Sequence, residues 1–163
     1  MTDKVPLNGV AHIYITVQDY PRCLPFYEEL LGFFDMQCLV RTDLLFYCVG
    51  SRTGIGIRAA SAAHAATGFD QYRAGLHHLC LRARSREDVA RIEHFVAGLI
   101  ARHGGEMLHA AIDDSWAPGY HSVLFTDPCG TRLEVNYVPG KGNLDTAVSL
   151  PLAAATQRQL SQP

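Results

Sequence analysis

The chain carries the same succession of hydrophobic patterns twice. In its first part, "VAHIYITV" (residues 10–17) alternates hydrophobic and polar positions and is rich in β-branched residues, which predicts a strand. Asp19 and Pro21 then indicate the start of a helix through "RCLPFYEELLG", and Gly32 indicates its end. Three short strand-like runs follow: "FFDMQCLV", "DLLFYCVG" and "TGIGIRAA".

The second part repeats this order. "HHLCLRA" (residues 77–83) is typical of a strand, and Ser85 with Asp88 resembles a helix cap. A helical stripe follows, which Gly104–Gly105 end; its members are Val89, Ile92, Phe95, Val96, Leu99 and Ile100. "EMLHAAI", "GYHSVLFT" and "TRLEVNYV" predict three more strands, with "DPCG" as the turn between the last two.

The repeat predicts an α+β fold built from two βαβββ modules. We place module 1 at residues 8–59, a linker at 60–74, module 2 at 75–138 and a C-terminal tail at 139–163. Each module is too small to be stable alone, so we expect the two to share a core in a single domain.

Successive side chains of a strand point to opposite faces of the sheet, so the alternation along each predicted strand assigns every side chain to one face. The helix covers the apolar face of each sheet, and the other face is free. His12, His78 and Glu134 fall on the helix-free faces, whereas His77 is expected on the apolar side. Their predicted neighbours on those faces are Tyr14, Thr16, Gly54, Gly56, Arg58, Cys80, Arg82, Arg132 and Asn136.

Composition narrows the class of partner. The 163 residues have a formal net charge of −2 and no run of Lys or Arg, which argues against nucleic-acid binding. The N-terminal "MTDKVPLNGV" does not resemble a signal peptide, and no apolar stretch approaches membrane-spanning length. Five cysteines without a C-x-x-C pair predict buried free thiols in a reducing cytoplasm. The lack of a long apolar stretch predicts no membrane partner.

Three motifs resemble the vicinal-oxygen-chelate superfamily, which includes glyoxalase I, type I extradiol dioxygenases, methylmalonyl-CoA epimerase and the fosfomycin- and bleomycin-resistance proteins. They are "HIYITVQDYPRCLPFYEELLGF", "HLCLRARSREDV" and "FTDPCGTRLEV", and the resemblance covers residues 8–138. Its most specific elements are His-x6-Asp (His12 to Asp19) and "DPCGTRLE", where the family usually has D-P-D-G-x-x-x-E.

The resemblance implies two modules whose sheets curl around a cleft that holds one divalent metal ion. Its ligands would be His12, His78 and Glu134. Two imidazoles and one carboxylate suit Fe, Mn, Ni, Co or Zn and leave positions open for substrate oxygens. The resemblance also implies a homodimer and a small-molecule substrate.

The chain departs from each named activity. Glyoxalase I has a glutamate as a fourth ligand, and our register places Gly56 there. Extradiol dioxygenases have a tyrosine before the D-P turn, whereas "HSVLFTDP" offers His121 and Thr126. The fosfomycin enzymes carry a threonine two residues after the first histidine, and this chain has Tyr14.

Further residues are candidates for roles around the metal. We expect His121 or Tyr14 to move a proton, because an imidazole titrates near neutral pH and Tyr14 shares a face with His12. The candidates for substrate binding are Arg58, Arg82, Trp116, Tyr120 and Asn136.

Two functions remain open at this point. The first is a metal-dependent enzyme, dioxygenase-like or lyase/isomerase-like, that acts on a small oxygenated molecule chelating the metal. The second is a metal-free protein that sequesters a drug or metabolite, as the bleomycin-resistance members do.

Overall fold

A computed structural model describes residues 4–140 of the chain. Most of the predicted tail, from residue 141 onward, lies outside the described residues. The chain divides into two compact units, the first ending at Phe69 and the second beginning at Asp70. This division falls inside the predicted linker at 60–74, and each unit is described by itself.

The first unit contains one helix and a four-stranded mixed sheet. Its elements are β1 (His12–Val17), α1 (Tyr20–Phe33), β2 (Gln37–Arg41), β3 (Leu45–Gly50) and β4 (Thr53–Ala59). The strand order is β1-β4-β3-β2, with β1 parallel to β4 and the other neighbours antiparallel. The sheet therefore has β4 and β3 inside and β2 at one edge.

The local sequence explains where α1 lies. The side chain of Asp19 accepts a hydrogen bond from the backbone N–H of Arg22 and so caps the helix. Pro21 is tolerated in the first turn, because a backbone N–H at that position has no acceptor within the helix. One side of α1 is buried over the sheet, through Tyr20, Cys23, Phe26, Tyr27, Leu30 and Leu31. The sheet contributes Ile15, Val17, Phe46, Cys48, Ile55 and Ile57 to this core.

The second unit repeats the architecture. Its elements are β5 (Leu79–Arg82), α2 (Arg86–His103), β6 (Met107–Asp114), β7 (Tyr120–Thr126) and β8 (Arg132–Tyr137). The strand order is β5-β8-β7-β6, again with one parallel pair, β5 and β8. The predicted α+β class and the two βαβββ modules are confirmed. Neither helix in the described part of the chain is long and apolar enough to cross a membrane.

The helix α2 is held by its cap and by its apolar stripe. The Ser85 hydroxyl accepts the N–H of Asp88 at 3.0 Å, as the sequence predicted. The residues of the stripe that are buried are Val89, Ile92, Val96 and Leu99. They belong to a core that includes Val123, Phe125, Leu133 and Val135 of the sheet.

The turn between β7 and β8 is fixed by the carboxylate of Asp127, which is fully buried. This carboxylate accepts the backbone N–H groups of Cys129 and Thr131, both at 2.8 Å. An aspartate that accepts from its own turn replaces hydrogen bonds that water would otherwise supply. The turn therefore fixes the start of β8 and the register of the side chains along it.

The chain leaves α2 through Gly104 and Gly105, both with positive φ (88° and 109°). A Cβ atom added at Gly105 would overlap the carbonyl oxygen of Thr126. The backbones approach here because the Thr126 N–H donates to the Glu106 carbonyl at 2.8 Å. Glycine is thus required at position 105 both for the positive φ angle and for the close approach to the backbone of Thr126.

We predict opposite effects for two glycine-to-alanine changes. Gly105→Ala should lower the free energy of unfolding by about 2 kcal/mol, because the strain falls on backbone atoms that cannot move aside. Gly32→Ala, inside α1 with no atom within 4 Å of the added Cβ, should raise it by about 0.5–1 kcal/mol. Urea unfolding of both variants measures the difference. Equal effects at the two positions would contradict this account of Gly105.

Candidate functional site

A polar cluster occupies the helix-free face of the second sheet. Glu134 lies on the interior strand β8, opposite Cys80 on β5 and Leu124 on β7. Asn136, two residues further, lies opposite Arg82 and Ser122. Because paired residues point to the same side of a sheet, these side chains share one face, as the alternation predicted.

The carboxylate of Glu134 is the centre of this cluster. One oxygen, Oε2, lies 3.1 Å from Nε2 of His78, and the other, Oε1, accepts the hydroxyl of Tyr120 at 2.6 Å. The residue is only 8% exposed. Burial opposes its ionisation, but hydrogen bonds from His78, Tyr120 and Ser122 outweigh burial and lower the pKa of Glu134 to about 2. The side chain is therefore a buried carboxylate anion at neutral pH.

The Tyr120 hydroxyl and the Cys80 thiol beside Glu134 are both protonated at neutral pH. Burial, and next its hydrogen bond to Glu134, raise the pKa of Tyr120 well above the ordinary value for a phenol. Desolvation of the sulfur, and next the Glu134 carboxylate, raise the pKa of the Cys80 thiol to about 12. The negative charge of the cluster consequently resides on Glu134.

His78 is held through both of its ring nitrogens. Nε2 faces Glu134, and Nδ1 lies 2.7 Å from Nδ1 of His77. The prediction that His77 faces the core is wrong, because this residue is exposed. The strand β5 begins only at Leu79, so the alternation that assigned His77 to the apolar side does not extend back to it. Partial desolvation of its ring, and next the neighbouring His78 and Arg132, lower the pKa of His77.

His121 is not brought to this cluster. It is the neighbour of Tyr120 and Ser122 on β7, and alternation therefore turns it to the opposite face. Its Nδ1 lies 2.8 Å from Oδ1 of Asp113, which also accepts from Arg86 at 2.7 Å. Arg86 first and His121 second lower the pKa of Asp113. The three side chains link the start of α2 to β6 and β7, away from Glu134.

The helix-free face of the first sheet is aromatic. His12 pairs with Gly54 and Tyr14 with Gly56, so the two glycines lie beside these rings. The ring of Tyr14 stacks on that of Tyr47 at 5.7 Å with an angle of 9°, and His12 meets Tyr14 edge-on. Side chains at Gly54 or Gly56 would collide with the two tyrosines. Tyr14 is 50% exposed and His12 is exposed, so this face offers an accessible aromatic surface.

The other candidates lie at the margins of these two faces. Arg58 pairs with Thr16 on the first sheet and Arg82 with Asn136 on the second, and both arginines are exposed. Asn136 is buried, and its amide is one of the groups that influence the pKa of Tyr120. Trp116 lies half-buried in the connection between β6 and β7.

The second unit contains two of the three expected metal ligands, His78 and Glu134, and the spacing of their ligand atoms is compatible with a shared metal ion. Within either unit, the described residues contain no group of three or more His, Cys, Asp or Glu side chains that could hold an ion. Two ligand atoms about 2.1 Å from one ion and about 90° apart lie about 3.0 Å from each other. The Nε2–Oε2 distance of 3.1 Å between His78 and Glu134 fits that spacing. His12, the third expected ligand, belongs to the first unit.

The sequence pattern did not identify two residues of these faces, Tyr47 and His77. Tyr47 was not singled out, although glycines at alternate positions of "TGIGI" were a signal that bulky side chains on neighbouring strands lie across β4. His77 was assigned to the core, and nothing local in the sequence marked it as a partner of His78.

Solved structures with similar folds include proteins whose names refer to glyoxalase. A putative glyoxalase from Bacillus halodurans is 19% identical, with 80% of this chain and 96% of that chain covered and a TM-score of 0.64. A glyoxalase-related enzyme from Fulvimarina pelagi is 21% identical, with 82% and 90% covered and a TM-score of 0.60. Lactoylglutathione lyase from Agrobacterium tumefaciens is 16% identical, with 82% and 96% covered and a TM-score of 0.56. At these identities the likeness concerns the fold alone.

The sequence itself has a family match. The chain has no significant match among curated proteins. Residues 9–135, most of the chain, match the family described as the Glyoxalase/Bleomycin resistance protein/Dioxygenase superfamily. This range contains both βαβββ modules together with His12, His78 and Glu134. The chain therefore belongs to the Glyoxalase/Bleomycin resistance protein/Dioxygenase superfamily.

Proposed function

We propose that this protein is a metal-dependent enzyme that acts on a small oxygenated substrate. In this proposal His12, His78 and Glu134 bind one divalent ion. The observation that carries it is the pair formed by His78 Nε2 and Glu134 Oε2, 3.1 Å apart on a face where the carboxylate is buried and ionised. The family match supports the same assignment.

A buried carboxylate is costly unless it is paired, so its presence on this face calls for a partner cation or proton donors. In the described structure the donors include His78 and Tyr120. The hydroxyl of Tyr120 occupies Oε1, which leaves Oε2 directed at the imidazole and at the space that the two groups share. That arrangement suits an oxygen and a nitrogen that serve as neighbouring ligands of one ion.

The first unit would supply the third ligand. His12 lies on the helix-free face at the beginning of β1, as His78 lies immediately before β5 in the second module. Two imidazoles and a carboxylate suit Fe(II), Mn(II), Co(II), Ni(II) or Zn(II). When bound, such an ion polarises a chelating substrate oxygen as a Lewis acid.

The chain's own residues have separate tasks in this proposal. Tyr120 and His77 orient Glu134 and His78 through the hydrogen bonds described above. Tyr14, whose ring meets that of His12 edge-on, is proposed to give or take a proton or to contact the substrate. His121 is not given this role here, because it lies on the opposite face from Glu134. Arg58, Arg82, Trp116 and Asn136 are assigned to substrate binding.

The space at Gly56 bears on the class of reaction. An added Cβ atom there would lie 2.5 Å from ring atoms of Tyr14, so a larger side chain would displace that ring. A glutamate ligand at Gly56, as the resemblance implies for glyoxalase I, is therefore incompatible with the present position of Tyr14. This favours dioxygenase-like or lyase/isomerase-like chemistry with three protein ligands. We further propose that the enzyme is a cytoplasmic homodimer.

One observation favours a second function. The stacked rings of Tyr14 and Tyr47 form an accessible flat surface that could hold a planar ligand without any metal. A protein using this surface alone would sequester a drug or metabolite. The two functions differ in whether a metal ion is needed for binding.

Metal analysis distinguishes the metal-dependent enzyme from the sequestering protein. Protein purified without a histidine tag should contain one equivalent of a transition metal, and His78→Ala should lower metal affinity by more than about 100-fold, because it removes a ligand and leaves Glu134 with one partner fewer. His94→Ala, an exposed position on α2, is the matched control and should retain the metal.

Metal-free wild-type protein that binds no added Fe(II), Mn(II), Co(II), Ni(II) or Zn(II) would exclude the proposed enzyme. If such protein still binds a planar aromatic probe, and Tyr14→Ala abolishes that binding, the sequestering function is supported instead. Inductively coupled plasma mass spectrometry and equilibrium dialysis give the metal readouts.

The hydrogen bond from Tyr120 should control the ionisation of Glu134 in the metal-free protein. Tyr120→Phe removes a donor to the charged form, so the pKa of Glu134 should rise from about 2 by roughly one unit. Carbon-detected NMR titration of the glutamate carboxyls measures it. Tyr137→Phe, on the same strand β8 but the opposite face, is the control and should leave the value unchanged.

The same bond gives a pH-dependent stability with a definite sign. Because the folded pKa of Glu134 lies below its ordinary value of 4.5, its stabilising contribution is complete above about pH 5 and is lost as the pH falls toward 2. Tyr120→Phe should therefore cost about 2 kcal/mol at pH 7 and less at pH 3. A cost that is independent of pH would show that Tyr120 contributes packing alone.

A further inference from the structure

The hairpin of β2 and β3 brings two cysteines together. Cys38 on β2 and Cys48 on β3 are directly opposite in the antiparallel register. In the reduced form the Cys38 thiol donates to the Val40 carbonyl, with an Sγ–O distance of 3.5 Å. The register shift of this hairpin lies after Cys38, so the pair itself is in step with its neighbour Gln37–Val49. The hairpin is closed by the bond from the Thr42 N–H to the Leu45 carbonyl at 2.8 Å.

The backbone geometry of such a pair suits a covalent link. Directly opposite residues of antiparallel strands have Cα atoms about 4.5 or 5.5 Å apart, depending on the hydrogen-bonding position. Both values lie inside the range of about 4.4–6.8 Å found for disulfides. The two side chains also point to the same face of the sheet, so no change of strand register is needed for the sulfurs to join.

The two thiols differ in access. Cys48 is 1% exposed, and burial raises its pKa to about 12. Cys38 is exposed, as are all five residues of the edge strand β2. An oxidant in solution therefore reaches Cys38 first. Cys48 is shielded from reagents in solution, but it lies directly opposite Cys38 on the neighbouring strand. Both cysteines are reduced in the described structure.

We propose that Cys38 and Cys48 are an oxidation site, which a low-molecular-weight disulfide such as glutathione disulfide converts to an intramolecular disulfide. Cys38, as thiolate, attacks one sulfur of the small disulfide, whose S–S bond breaks and releases one thiol. The Cys48 sulfur loses its proton and attacks Cys38 in the mixed disulfide, and the second small thiol leaves with a proton. Two protein thiols are oxidised, and one small disulfide is reduced to two thiols.

The disulfide would cross-link the edge strand β2 of the first sheet to its neighbour β3. Among residues 4–140, the strand β2 pairs with β3 alone, in the order β1-β4-β3-β2. Tyr47, the residue before Cys48, belongs to the aromatic surface on the opposite face. Oxidation should therefore protect the edge strand from opening and raise the thermal midpoint of unfolding by several degrees, since a cross-link reduces the freedom of the unfolded hairpin. This site does not depend on the proposed metal.

Treatment of the full chain with glutathione disulfide tests the proposal. Cleavage after Glu29, Arg41 and Arg52 separates Cys38 from both Cys23 and Cys48. Mass spectrometry without reduction should then find the Cys38 peptide joined to the Cys48 peptide, and a reducing agent should release them. Thiol counting should show that two of the five cysteines are lost, and hydrogen exchange in β2 should slow.

Three variants define the order of events. Cys48→Ala should stop the reaction at Cys38 carrying one glutathione, and Cys38→Ser should leave Cys48 unmodified. Cys129→Ser, outside the pair, should still form the link. A wild-type chain that keeps glutathione on Cys38 without forming the link, or that joins other cysteines, would overturn the proposal. Cys38→Ser changes an exposed residue on an edge strand, so its fold is expected to persist and its result stays interpretable.

Discussion

The ionised carboxylate of Glu134 is the constraint on which the second unit's helix-free face depends. A buried charge is unfavourable unless hydrogen bonds or a counter-charge compensate it. Here the compensation comes from His78 on one oxygen and Tyr120 on the other. His78 and Tyr120 both meet that requirement, and the pair of atoms formed by His78 Nε2 and Glu134 Oε2 has the spacing of neighbouring metal ligands. The proposed chemistry begins with this electrostatic arrangement.

The two modules share an architecture but have different faces. Both place a parallel pair next to antiparallel strands, and both cover one side of the sheet with a helix. On the free side the first sheet has glycines on β4, over which Tyr14 and Tyr47 stack. The second sheet has a carboxylate and its donors at the corresponding place. A repeated scaffold has therefore acquired an apolar, accessible surface in one copy and a charged, buried cluster in the other.

The edge hairpin of the first unit illustrates a different kind of chemistry on the same scaffold. Its cysteines are neighbours only because antiparallel pairing brings residues 38 and 48 opposite each other. Their unequal exposure follows from their strands, since β2 is at the edge of the sheet and Cys48, on the inner strand β3, belongs to the buried core of the first unit. Reactivity at this hairpin would thus be set by sheet position and not by any sequence motif around either cysteine.

The sequence by itself determined the elements, because local signals decide them. The caps at Asp19 and Ser85, the helical stripe on α2 and the alternation in β1, β4 and β8 predicted the modules and the faces of His12, Glu134 and Asn136. Only the tertiary structure decided where β5 begins, and with it the partner of His77, since a strand's first residue depends on pairing with β8. It also decided that His121 meets Asp113 and that Tyr120 meets Glu134, because contacts between strands depend on register, which no local pattern encodes.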